Sequence, residues 1–173
     1  LYTILRCFVP LFLGEHPMKR IFIPALFAMF LAAPAAYASH YDLADIDIVP
    51  AETVDTLAKN KVETTEQLLA LLLKKSDRAA FAKQYNLDAA NVELIAHKLE
   101  LMQVVGIGPK AASLLILSDI GNLKALAQAT PETLLDVLVR VNRENNITGV
   151  QPDLTVVRDW IQKAQKIANH IED

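Results

Sequence analysis

The 173-residue sequence predicts an all-α protein, and three observations carry that expectation. Beyond residue 47, apolar residues recur at three- and four-residue intervals, as one buried face of a helix requires. No stretch sustains the two-residue alternation of a half-buried strand. Short polar, glycine or proline breaks separate the periodic segments, and their spacing fits about eight short helices joined by brief connections.

The chain opens at Leu1, and Met18-Lys19-Arg20 follows only later, ahead of the apolar run "IFIPALFAMFLAAP" and Ala36-Tyr37-Ala38. A basic start, an apolar middle and a small-x-small site, in that order, describe a secretory signal peptide. Residues 1–17 are therefore read as upstream translated sequence, 18–38 as the signal peptide and 39–173 as an exported, periplasmic domain. The alternative is an uncleaved anchor. Pro24 and Pro34 inside a run of only 18 residues argue against it, so the mature form is expected to have no membrane span. Cys7, the single cysteine, precedes the signal, which leaves the mature chain without a disulfide and dependent on an apolar core. Removing Arg6, Lys19, Arg20 and Glu15 turns 17 basic and 20 acidic residues into 14 and 19, a net charge of −5. A general nucleic-acid binder shows the opposite excess, because it must neutralise phosphates.

A polar lead from Ser39 to Asp47 comes first. Thr64 can cap a helix that carries Leu68, Leu69, Leu71 and Leu72, and Asp88 one that carries Val92, Ile95, Leu99 and Met102. Lys59, Lys61, Lys74, Lys75, Arg78 and Lys83 form the densest basic stretch, read as solvated surface. Thr130-Pro131-Glu132 is a cap, a proline at the first helical position and an acid in the first turn, ahead of Leu134, Leu135, Leu138 and Val141. Asn145 to Pro152 reads as a loop. The last helix buries Val157, Trp160, Ile161, Ala164, Ile167, Ala168 and Ile171 on one stripe that is expected to continue to the end of the sequence. Shifting the chain by 58 residues places Val49, Leu57, Val62 and Leu68 on Ile107, Leu115, Ile120 and Leu126, so one helix, turn, helix unit recurs.

The stretch "LMQVVGIGPKAASLL" (residues 101–115) holds the most specific local signal. Gly106-Ile107-Gly108 with Ala111 satisfies a dinucleotide-loop pattern, but that loop needs a preceding strand in a βαβ unit, and none is predicted. A helical corner explains each position instead. Gly106 supplies a positive φ that ends one helix, Ile107 plugs the core, Gly108-Pro109 starts the next helix, and Ala112 lets the two helices approach closely. "GIGPKAA" resembles the helix-hairpin-helix motif of DNA-repair and replication proteins. That resemblance implies a sequence-independent grip on DNA backbone, with amides from Gly108 to Ala111 holding a phosphate and Lys110 adding charge. In the first copy, Ile48 and Pro50 replace the two glycines and Asp45, Asp47 and Glu52 stand nearby, so that hairpin is degenerate and a two-sided clamp is not expected.

Together with residues 99–104, "Val141-Asn142-Arg143-Glu144" and residues 157–164, the hairpin resembles an uncharacterised bacterial family of tandem helix-hairpin-helix domains, over roughly Ile46 to Ile167. The resemblance implies two hairpin units in an all-helical fold and brings no catalytic residues. A periplasmic competence protein that binds incoming DNA is similar in the hairpin alone.

His16, His40, His97 and His170 include no pair at metal-ligand spacing, Ser113 and Ser118 lack a nucleophile-elbow context, and Asp45 and Asp47 read as solvated carboxylates. No catalytic residue, metal or cofactor is expected. The expected function is therefore a non-catalytic binding or scaffolding module with another protein as partner. The alternative is binding of DNA backbone through Gly106, Ile107, Gly108, Lys110 and Ala111.

Overall fold

The computed structural model describes residues 40–167 and 171–172. The expected signal peptide, Cys7, His16, Ala168 and His170 lie outside them. Among the described residues there are eight α-helices and no strand, as the periodicity predicts: α1 (Ala51–Lys59), α2 (Thr65–Leu72), α3 (Lys75–Gln84), α4 (Ala89–Leu101), α5 (Pro109–Leu117), α6 (Leu123–Gln128), α7 (Pro131–Asn145) and α8 (Leu154–Ala164). A single 3-10 turn, Leu43–Asp45, precedes them.

Local chemistry sets most of the boundaries. Thr64 and Gln67 form a reciprocal capping box on α2, and Asp88 accepts from the Asn91 amide at the start of α4. Asn122 and Asp153 cap α6 and α8 in the same way. Thr130 takes the cap position of α7 without a side-chain bond, so Pro131, which has no N–H to satisfy, marks that start.

The 58-residue repeat is visible in the backbone. α1 and α5 are nine residues each and begin and end 58 positions apart. Both close with a Schellman motif, in which Lys61 (φ 62°) and Asp119 (φ 64°) take the left-handed position. The Val62 amide then donates to the Leu57 carbonyl at 3.0 Å, and the Ile120 amide to the Leu115 carbonyl at 2.9 Å. Later the register shifts. The capping residues Asp88 and Asp153 lie 65 apart because α7 is longer than α3 and the α7–α8 connection longer than the α3–α4 one; there Asn142 bonds Thr148 in both directions, at 3.0 and 2.9 Å, and pins the loop. α4 packs against α2, α3 and α5, and α8 against α6 and α7. Across that second pair Arg158 donates to Glu132, and this hydrogen bond, ahead of its coulombic attraction, holds the carboxyl below its ordinary value.

The polar lead is tied to the fold: the Leu43 amide donates to the Glu63 carbonyl at 2.8 Å, the Thr65 amide to the Tyr41 carbonyl at 2.9 Å, and Leu43 is buried, while Asp45 and Asp47 are exposed as expected. Two sequence-based expectations need correction. Arg78 is not solvated. It lies on the inner face of α3 with Phe81 and Ala82, 2% exposed, and donates to Glu93 (2.7 Å) and to the Leu72 and Leu73 carbonyls (3.0 and 3.1 Å). Finally, the last helix stops at Ala164. Ile171 is buried as expected, but a different geometry holds it there: its amide donates to Glu100 at 3.0 Å, and the next amide, of Glu172, donates to the Leu73 carbonyl at 2.8 Å. Tertiary hydrogen bonds have replaced the helical ones.

Glu100 is 1% exposed and sits on the apolar stripe of α4, one turn after Ala96. Its carboxylate takes the amide of Leu123, at the first residue of α6, at 3.2 Å and that of Ile171 at 3.0 Å. Buried amides need acceptors, and each one left without costs about 1–3 kcal/mol. Glu100→Leu is therefore expected to lower the stability by about 3 kcal/mol, read as a lower urea midpoint at unchanged slope; an unchanged midpoint would show that the two amides find other partners.

Candidate functional site

The turn between α4 and α5 is the site singled out by the sequence, and its geometry follows from its residues. α4 ends at Leu101, after which the Val104 amide donates to the Leu101 carbonyl at 3.1 Å and the Ile107 amide to the Val104 carbonyl at 2.9 Å. The second bond closes a β-turn with Gly106 in its third position at φ 98°, which an L side chain rarely adopts. Ile107 is fully buried, so its side chain serves the core and only its backbone faces the turn. Gly108 is the extended N-cap residue of α5, Pro109 takes the first helical position, and the Ser113 hydroxyl donates to the Pro109 carbonyl at 2.9 Å. Ala112 is buried between the helices, Ala111 is half-buried and Lys110 is exposed.

Each glycine also has an aromatic side chain packed close to it. A Cβ on Gly106 would stand 3.1 Å from Trp160 Nε1, and one on Gly108 would stand 3.0 Å from the Tyr41 hydroxyl. Lys163, one turn beyond Trp160 on α8, donates to the Val105 carbonyl at 3.2 Å while paired with Asp159 at 2.6 Å. α8 thus fixes the turn from one side and the N-terminal lead fixes it from the other. Neither Tyr41 nor Lys163 was identified from the sequence, because no local pattern marks a residue that packs across the fold.

Electrostatically the site is mixed. Lys110 and Lys98 line an open groove together with Asp45 and Asp47. The two carboxylates read as solvated lead residues are therefore neighbours of the hairpin lysine. A second depression lies between α2 and α4, about 170 Å3 in volume, with Leu69, Leu73, Leu99 and Met102 as apolar lining and His40, Glu66 and Gln103 as polar lining. Ala70 stands exposed at its edge and Leu71, on the same helix, is also exposed. His97 is half-buried 3.8 Å from Glu93, and Ser118 is buried just past α5. Among the described residues no group of three or more His, Cys, Asp or Glu could hold a metal ion, and no helix is long and apolar enough to cross a membrane.

Comparison with known proteins adds one finding. The family model described as "Domain of unknown function (DUF4332)" matches residues 48–167. No curated protein and no solved structure matches the chain.

The two kinds of constraint on Gly106 can be separated from a generic glycine effect. Gly106→Ala is expected to lose about 1–3 kcal/mol in urea unfolding, because the new methyl meets both a forbidden φ and the Trp160 indole. Gly121→Ala meets nothing within 4 Å and is expected to stay within about 0.5 kcal/mol of the parent. Equal losses at both positions would refute the assignment.

Proposed function

The chain belongs to the family described as a domain of unknown function (DUF4332), so its role has to be inferred from its own geometry, and we propose that it is a non-catalytic binding module whose partner is another protein. The carrying observation is the composition of the groove beside the α4–α5 turn. A phosphate seated at the start of α5 would meet Asp45 and Asp47 as well as Lys98 and Lys110. Backbone-directed DNA binding draws its affinity from uncompensated basic charge, and a groove with two acids for two bases lacks it. Arg78, part of the densest basic stretch, is withdrawn into the core and adds nothing to the surface charge. The apolar depression between α2 and α4, outside the hairpin, suits a protein side chain better than a phosphate. In this reading the module works after export, with residues 18–38 as its secretion signal.

One observation favours DNA as a second reading. The turn has the form of a helix-hairpin-helix corner, with Gly106 at positive φ, α5 starting from Gly108 without a side-chain cap and Lys110 exposed in its first turn. Val49-Pro50 occupies the equivalent place before α1, with proline where an amide would be required, so the reading rests on one hairpin rather than a pair.

Fluorescence anisotropy of a labelled duplex separates the two. The chain is expected to show no salt-sensitive binding below a Kd of about 10⁻⁵ M, and Asp45→Asn with Asp47→Asn is expected to create some. Salt-sensitive binding by the parent that Lys110→Glu abolishes would instead establish the DNA reading. For the protein partner, a photo-crosslinking residue at position 70 is expected to give a discrete, protease-sensitive adduct in the host cell, whereas one at position 140 gives none. A nuclease-sensitive adduct, or the same products from both positions, would overturn the proposal.

A further inference from the structure

We propose that the junction of α2 and α3, together with Glu100 of α4, is a peptide-receiving slot for an extended segment with an apolar residue followed by an acidic one, and that Ile171-Glu172 is its resident intramolecular occupant. The slot is built around two polar side chains that are almost wholly buried, Arg78 (2% exposed) and Glu100 (1%). Each spends a hydrogen bond on the main chain of the occupant. Glu100 accepts the Ile171 amide at 3.0 Å, and Arg78 Nη2 donates to the Glu172 carbonyl. The Leu73 carbonyl accepts the Glu172 amide at 2.8 Å, which completes a main-chain grip that any extended segment can satisfy.

Two side chains set the specificity. Ile171 is buried, and Glu172 Oε2 accepts the Lys75 amide at 3.0 Å, at the first turn of α3. That helix has no cap of its own. Its N-cap residue is Lys74, which offers no acceptor, whereas α2, α4, α6 and α8 carry Thr64, Asp88, Asn122 and Asp153 there. α1 begins just after Pro50, and α5 and α7 begin at Pro109 and Pro131. α3 instead receives its acceptor from 97 residues away, where the carboxylate is also favoured by the helix dipole.

An empty slot would leave donors of buried Arg78 and an acceptor of buried Glu100 without these partners, whereas the Lys75 amide, at the exposed rim, would turn to water; the buried pair is what makes it a receptor. A partner segment of the same chemistry therefore binds by displacing residues 171–172, which compete at the effective concentration of a tethered segment, on the order of millimolar. The inference leans on the protein-binding reading only for the existence of an outside partner. DNA binding at the α4–α5 turn, measured separately, leaves the following titration unaffected.

The test uses the full chain with Ile171→Gly and Glu172→Gly, which vacates the slot without shortening the sequence. The probe is a fluorescent peptide of residues 165–173, and its control carries the same two glycines. The vacated chain is expected to bind the probe at least about tenfold more tightly than it binds the control, and than the parent chain binds the probe. Adding Arg78→Met is expected to remove that preference. A vacated chain that melts cooperatively yet binds both peptides alike, or neither, overturns the proposal. If it does not fold, about 1 mM probe is expected to restore a cooperative melt by mass action, and failure of the probe to do so better than the control overturns the proposal equally.

Discussion

A carboxylate that must not lose its partners organises this molecule. Glu100 lies on the buried stripe of α4, where an unpaired charge would be costly, and its demand for donors draws in two segments from distant parts of the sequence. The start of α6 and the stretch at Ile171 are both fixed by it. Because α4 also packs against α2, α3 and α5, the buried acid fastens outlying pieces to the helix that has the most neighbours in the first half. Arg78 does the same work with the opposite sign, collecting the end of α2 and the Glu172 carbonyl. Neither residue contributes a surface salt bridge of the usual kind. Each is bonded largely to backbone, which ties position to chain geometry more strictly than to side-chain identity.

The repeated unit shows how one local solution was reused and then altered. The Schellman closures at Lys61 and Asp119 match, and Thr64 and Asn122 both cap the following helix, although only Thr64 has the reciprocal bond, from Gln67. The sites before them do not. A full helix leads into the second corner, whereas a single 3-10 turn leads into the first, and proline replaces glycine at its exit. The first copy has thereby given up an outward-facing amide, while its lead, through Tyr41, now shields the second corner.

The sequence was most legible where structure is decided locally. Caps at Thr64 and Asp88, the proline start at Pro131, the positive φ at Gly106 and the burial of Ile107 all follow from residue type and spacing. It misled where a residue's partner lies far along the chain. Arg78 and Glu100 both fall on apolar stripes, beside Phe81 and after Ala96, and a strict reading of helical period would have marked them as buried. Arg78 instead reads as surface because of its charge, and Glu100 is not singled out. α8 ends at Ala164 although the periodicity continues, and the Ile171 and Glu172 amides are bonded instead to Glu100 and Leu73, partners that no local pattern announces. For the candidate site, the hairpin residues were legible, whereas the acids sharing a groove with Lys110 and the indole packed close to Gly106 were not.

Trp160 is the sequence's single tryptophan, and its indole nitrogen rests against the backbone of Gly106. The protein therefore carries a built-in optical reporter at its most specific corner. Emission colour, lifetime and quenching of the intact chain all originate at the contact between α8 and the turn, with no second indole to dilute them. Any partner that shifts α8 or the turn announces itself in the intrinsic spectrum, without a dye and without an engineered site.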